Sequence, residues 1–102
     1  MNSEEKTLSL LIAKQFSLMV DDEIDFKQFR SQLEHEIDYL INHNFEKLLW
    51  ILYRIDVSEQ KVKDQIATHP ENAAEVIADL IIEHQMQKVK NRKNSATGFI
   101  DL

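Results

Sequence analysis

Apolar residues recur at intervals of three and four positions over most of this chain, the spacing that places them on one face of an α-helix. The first predicted helix runs from about Ser3 to Val20. Asn2 and Glu5 have the spacing of a capping box, in which each side chain bonds the other residue's backbone N–H. The acidic segment 21–23 separates this helix from the next. The predicted buried stripe of the first helix is Leu8, Leu11, Ile12, Phe16 and Met19.

The second predicted helix has the strongest start signal in the chain. Asp25 and Gln28 have capping-box spacing, and Ile24 and Phe29 are placed to pack on each other around the cap as a hydrophobic staple. The polar segment 42–44 ends the helix. The predicted buried stripe is Phe26, Phe29, Leu33, Ile37, Leu40 and Ile41.

The third segment, 45–55, is apolar on nearly every side, which is typical of a helix at the centre of a bundle. Ser58 is a good N-cap residue, so we predict a break at 56–58 and a short fourth helix that ends near Thr68. The alternative is one kinked helix over 45–68. It is supported by a single helical phase of apolar residues, interrupted only by Glu59: Phe45, Leu48, Leu52, Ile55, Val62 and Ile66.

The last predicted helix opens at Thr68–Glu71, where Pro70 suits a first turn and Thr68 and Glu71 have capping-box spacing. It extends to about Lys93. Its first half is broadly apolar, and its second half turns basic, as suits the negative end of a helix dipole. No helical pattern continues through residues 94–102.

The predicted fold is all-α, a compact antiparallel bundle of four to five helices packed around segments 45–55 and 73–82. A β-rich domain needs many turns, yet the chain of 102 residues has one Gly, Gly98, and one Pro, Pro70. We predict one domain over residues 1–93 and a C-terminal tail over 94–102.

Composition narrows the classes of function. The net charge is −6, and residues 1–87 carry 17 acidic and 8 basic side chains, which disfavours nucleic acid as a partner. This also opposes a helix-turn-helix interpretation of the helices around 56–58. The chain has no Cys, which fits a reducing cytoplasm. Its polar N-terminus does not resemble a signal peptide, and the longest apolar run, Leu48–Tyr53, is too short to span a membrane.

Two stretches resemble small, all-helical bacterial proteins of unassigned function. The first is the turn Leu52-Tyr53-Arg54-Ile55-Asp56-Val57-Ser58-Glu59. The second is a closing helix of the type Ile81-Ile82-Glu83-His84-Gln85-Met86-Gln87-Lys88. This resemblance covers the second half of the chain and implies a cytoplasmic bacterial protein. It implies no catalytic residue.

The sequence predicts no catalytic, cofactor or metal site. The histidines lack the three- or four-residue ligand spacing of helical metal sites. Glu75, Asp79 and Glu83 form an acidic line at intervals of four, which is more typical of a solvated helix face than of paired catalytic carboxylates. Nothing supplies a nucleophile with a base, so we expect no enzyme activity. The four histidines are His35, His43, His69 and His84.

The leading hypothesis is a non-catalytic interaction module that forms a homodimer. The last helix has apolar residues on too many sides for an outer position, and broad apolar surface marks interfaces. We also expect Trp50, Tyr53 and Ile77 near the core or that interface. The predicted interface residues are Ile81, Met86 and Val89 with the basic cluster Lys88, Lys90, Arg92 and Lys93.

The alternative hypothesis is an acidic inhibitor of the immunity type, which binds a basic partner protein. Complementary charge speeds the encounter of such pairs. It requires a contiguous acidic patch, for which the sequence offers Asp21, Asp22, Glu23 and Asp25 together with Glu34 or Asp38.

Overall fold

The computed structural model describes residues 2–20 and 23–98, and this part of the chain is helical without any strand. The predicted all-α bundle is therefore confirmed. The elements are α1 (Ser3–Phe16), α2 (Phe26–His43), α3 (Phe45–Arg54), α4 (Glu59–Thr68), a 3₁₀ turn (Pro70–Asn72) and α5 (Ala73–Gly98).

Both predicted capping boxes are formed. The Asn2 side chain accepts from the Glu5 N–H at 2.8 Å, and the Glu5 carboxylate accepts from the Asn2 N–H at 3.0 Å. Asp25 and Gln28 exchange the same two bonds at 2.8 and 2.9 Å. Since each box supplies partners for N–H groups that a helix start leaves open, α1 and α2 begin where the sequence predicts.

Helix α1 ends four residues before the predicted limit. Ser17 adopts a left-handed conformation with φ 57°, and the Leu18 N–H bonds the Ala13 carbonyl at 2.9 Å. This reversal carries Met19 into solvent, where it is 90% exposed. The prediction that Met19 belongs to the buried stripe is therefore wrong, because the helix that would have placed it there has already ended.

The break between α3 and α4 is confirmed, and it is a Schellman motif. Asp56 is left-handed with φ 65°, its N–H bonds the Tyr53 carbonyl at 3.1 Å, and the Val57 N–H bonds the Leu52 carbonyl at 2.9 Å. The Ser58 hydroxyl then caps α4 by accepting from the Lys61 N–H at 3.3 Å. A single kinked helix over 45–68 is excluded, since a left-handed residue interrupts the helical backbone.

The start of α5 differs from the prediction. Thr68 is the last residue of α4 and donates its hydroxyl to the Asp64 carbonyl at 2.7 Å, so it does not form a capping box with Glu71. The chain passes through the 3₁₀ turn that Pro70 opens, and α5 begins at Ala73. At the other end α5 continues to Gly98, so residues 94–98 of the predicted tail are helical. The remaining tail residues, 99–102, lie outside the described residues.

Helix α5 is the centre of the bundle and packs against α1, α2 and α4. The small residues Ala73 and Ala78 are buried on it together with Ile77 and Ile81. Helix α3 packs against α2 and α4 at the periphery, so its predicted central position is wrong. The reason is that α3 buries one arc only, formed by Leu48, Ile51 and Leu52 and continued by Ile55 at its C-cap.

Candidate interaction surface on helix α3

The outer side of α3 carries two large aromatic side chains that folding leaves in solvent. Trp50 is 60% exposed and Tyr53 is 81% exposed. At 100° per residue, Glu46, Lys47 and Arg54 lie on the same side of the helix, within about 60° of Trp50. All three are exposed. We call these five residues, Glu46, Lys47, Trp50, Tyr53 and Arg54, the α3 face.

The α3 face is partly organised before any partner binds. The Arg54 guanidinium carbon lies 4.9 Å from the centre of the Trp50 ring, within range of a cation–π interaction. Because the two residues are one helical turn apart, their contact restricts the Trp50 ring without a neighbouring helix. A restricted aromatic side chain loses less conformational entropy when it binds.

Three residues of the α3 face, Trp50, Tyr53 and Arg54, are of the types found in binding hot spots. Trp, Tyr and Arg are the residue types that most often dominate the binding energy of protein interfaces. Another exposed aromatic side chain, Tyr39 on α2, is 53% exposed and lies against His43 with ring centres 4.4 Å apart. The sequence predicts Trp50 and Tyr53 near the core or an interface. Because both are exposed, they do not belong to the core.

The end of α3 is held by α5. The backbone carbonyl of Ile55, at the C-cap of α3, accepts from Gln85 Nε2 at 3.1 Å and from Lys88 Nζ at 3.2 Å. Gln85 is buried, and the Lys88 ammonium complements the negative end of the α3 dipole. These bonds fix the orientation of α3 and hence of its outer face. They join residues 30 and 33 positions apart, and no local sequence signal announces them.

The residues predicted as an interface on α5 have other positions. Ile81 is fully inaccessible and Val89 is buried in the same core, so neither is available to a partner. Met86 is partly buried against that core, and Lys90 is exposed. The apolar surplus of α5 is thus largely used in folding. For Arg92 and Lys93 of the basic cluster, the side chains lie outside those described.

A cavity of about 310 Å³ lies beside the α3–α4 turn. Asp56, Ser58 and Lys61 form one wall, and His84 with Glu83 form the other. His84 Nε2 is buried without a hydrogen-bond partner among the described residues. Gln15 Oε1, which does not line this cavity, is also buried without a hydrogen-bond partner among the described residues. The cavity has the size for a few water molecules or a small polar ligand.

A second cavity, of about 390 Å³, lies between α2 and the start of α5. Four carboxylate residues line it, and its lining contains no Lys or Arg. They are Glu34, Asp38, Glu71 and Glu75. This brings Glu34 and Asp38 of the predicted acidic patch together with Glu71 and Glu75, which the sequence analysis did not assign to that patch. Asp25 instead caps α2, and Asp21 and Asp22 lie outside the described residues.

The acidic line on α5 serves partly to join two helices. Asp79 accepts a hydrogen bond from Arg30 of α2, and Glu34 accepts from Arg30 Nε at 2.8 Å. The bond to Asp79 raises the pKa of the Arg30 guanidinium, the bond to Glu34 acts in the same direction, and partial burial opposes both. Of the remaining members, Glu75 and Glu83 are exposed. Across residues 2–20 and 23–98, no three His, Asp or Glu side chains are grouped so that they could hold a metal ion.

Two further findings bear on the class of protein. None of the described helices combines the length and apolar character needed to cross a membrane. No protein-family model, no curated protein and no solved structure matches this chain.

Proposed function

We propose that this protein is a non-catalytic interaction module whose docking surface is the α3 face. The observation that carries the proposal is the exposure of Trp50 and Tyr53, at 60% and 81%, on a helix whose other side buries Leu48, Ile51 and Leu52. Contiguous exposed apolar patches mark interaction sites, and Trp, Tyr and Arg are enriched among the residues that dominate binding. The hydrogen bonds from Gln85 and Lys88 support the proposal, because they hold the surface in one orientation.

The test compares what the protein retains when Trp50 and Tyr53 are removed. Tagged wild-type protein and the double variant Trp50→Ala/Tyr53→Ala are used to capture proteins from the native cell lysate, with mass spectrometry of the retained set. Tyr39→Ala is the matched control, since it removes an exposed aromatic residue from α2. We expect specific retention, including untagged copies of the chain, to be lost in the double variant and kept in the control. Equal retention by all three proteins would contradict the proposal.

A second candidate function is the acidic inhibitor. The four carboxylates around the cavity between α2 and α5 favour it, since a basic partner would approach that side at an electrostatically increased rate. Glu71→Gln/Glu75→Gln removes two of these charges from exposed positions. A partner that is lost both in this variant and at moderate salt, while Trp50→Ala retains it, would favour the inhibitor over the α3 module.

The cellular setting is part of the same proposal. The lack of Cys and the resemblance of residues 52–59 and 81–88 to small bacterial helical proteins support a bacterial cytoplasmic protein. Fractionation of native cells, with an antibody against the chain, tests this directly. Recovery with membranes or outside the cell would contradict it.

A further inference from the structure

We propose that the cavity beside the α3–α4 turn binds a free α-amino acid with an aliphatic side chain, held at both of its charged ends. The cavity shares no residue with the α3 face, so this inference does not rest on the proposed function. Its volume of about 310 Å³ is at the lower end of the range for small-molecule sites, which suits a ligand of this size.

Charged side chains of both signs line the cavity without pairing with one another. Asp56 and Glu83 contribute carboxylates, and Lys61 contributes an ammonium group. Among the described residues, none of these three groups has a hydrogen-bond or ion-pair partner, whereas Lys63 on the same helix pairs with Glu59 at 3.2 Å. A ligand that carries an ammonium and a carboxylate can satisfy both signs at once. A simple cation or a simple anion would meet a like charge in the same cavity.

The lining also limits the class of ligand. Within residues 2–20 and 23–98, no three His, Asp or Glu side chains are grouped so that they could hold a metal ion, and this range includes the cavity. The apolar part of the lining comes from Val57, which is buried, and Leu80, which is partly buried. Such a surface favours an aliphatic side chain over a polar one, since covering apolar area on both partners is favourable.

His84 gives the cavity a hydrogen-bonding group that the fold does not use. It is one of the lining residues, and its Nε2 is buried without a partner among the described residues. A hydrogen bond to such an atom recovers the free energy that its burial costs. A neutral imidazole has one donor and one acceptor nitrogen, so it can bond either end of a zwitterion. Because Nε2 is buried in the free protein, we expect the ring to rotate when the ligand binds.

The surroundings of the charges set the strength of binding. Asp56, Lys61 and Glu83 are exposed, so solvent and salt reduce their attraction for the ligand. A free amino acid also offers few atoms over which to offset the entropy lost on binding. We therefore expect a dissociation constant of about 1 mM.

The experiment is a titration of the isotope-labelled full chain with L-leucine, followed by NMR. Two probes that each lack one charge are titrated in parallel: isoamylamine has no carboxylate, and isocaproate has no ammonium. We expect leucine to shift the backbone signals of residues 56–61 and the ring signals of His84. Each single-charge probe is expected to bind at least about fivefold more weakly than leucine, the loss typical of one exposed ion pair.

Substitutions in the lining test each end of the ligand separately. Lys61→Gln and Glu83→Gln are each expected to weaken leucine binding about fivefold. Lys61→Gln should not weaken binding of isoamylamine, and Glu83→Gln should not weaken binding of isocaproate, since each probe lacks the group that the missing charge would hold. Lys63→Gln is the matched control, because Lys63 lies on the same helix but does not line the cavity. Far-UV circular dichroism shows whether each variant keeps its helical fold.

Three results would each overturn the amino-acid site. They are no response to leucine up to about 20 mM, binding of isoamylamine or isocaproate as tight as that of leucine, and equal losses of leucine binding in Lys61→Gln and Lys63→Gln. The interaction module would stand in each of these cases, since capture through Trp50 and Tyr53 tests it on a separate surface.

Discussion

Replacing Asp56 tests the turn that separates α3 from α4, and with it the position of the α3 face. Asp56 has φ 65°, and its Schellman motif is closed by backbone bonds of 3.1 and 2.9 Å. A left-handed conformation costs an L-residue about 1–2 kcal/mol, and Asp tolerates it better than most. Glycine removes this cost but adds about 0.5–1 kcal/mol through the entropy of the unfolded chain. For Asp the two effects nearly cancel, so we expect Asp56→Gly to stabilise the protein by no more than about 0.5 kcal/mol.

Further substitutions at position 56 test whether glycine is more stable than alanine there. We expect Asp56→Ala to destabilise by about 0.5–1 kcal/mol, and Asp56→Val to destabilise more, since β-branched side chains are least tolerated at positive φ. The glycine variant would then be more stable than the alanine variant by about 0.5–1.5 kcal/mol. At an exposed position inside a helix the order is reversed, with alanine ahead by about 1 kcal/mol. Gln32 in the middle of α2 is exposed, so Gln32→Ala and Gln32→Gly serve as the helical control.

Urea unfolding followed by far-UV circular dichroism gives the free energy of unfolding for each variant. For a domain of this size, each kcal/mol also changes the melting temperature by roughly 4–8 °C, so the two orders are easily distinguished. If Asp56→Ala were more stable than Asp56→Gly, residue 56 would be helical and α3 and α4 would be continuous. The orientation of the α3 face relative to the core would then be wrong as well.

Two further predictions concern the contacts that α5 makes. Gln85→Leu and Lys88→Met should each destabilise the protein by about 1 kcal/mol. The double variant should lose more stability than the sum of the two, because either residue alone still supplies a donor to the Ile55 carbonyl. Urea unfolding of wild type and the three variants measures this coupling, and additive losses would contradict it. Ile81→Ala should destabilise the protein by about 2–5 kcal/mol, since Ile81 lies in the core of one chain. The midpoint of urea unfolding should not depend on protein concentration. A loss of stability that depends on protein concentration would indicate an interface role instead.

The sequence predicts well those features that depend on neighbouring residues. Asn2, Asp25 and Ser58 each cap a helix at the predicted position, because a cap needs only a side chain and an N–H group within three residues. The end of α1 was missed for a related reason. Left-handed helix ends usually carry Gly, and here Ser17 takes that conformation, so the usual signal is missing.

The sequence predicts poorly those features that depend on distant residues. The bonds to the Ile55 carbonyl join residues 30 and 33 positions apart, and periodicity cannot indicate them. The sequence does not indicate the candidate surface on α3, for another reason. Counting Trp50 and Tyr53 as apolar made α3 look apolar all round, although both side chains have a polar edge and are common at interfaces. The predicted interface on α5 rested on the apolar residues on most sides of that helix, and its packing against α1, α2 and α4 accounts for them.

The positions of α3 and α5 are physically linked. A bundle of this size has one central place, and α5 takes it because Ala73 and Ala78 permit the close approach of other helices around Ile77 and Ile81. The apolar surplus on α5 is thereby explained by folding. Folding does not explain the apolar surplus on α3 in the same way, since Trp50 and Tyr53 lie outside the buried core and remain 60% and 81% exposed. Removing them should therefore change binding much more than stability, and that difference is what identifies an interface in a protein that folds without its partner.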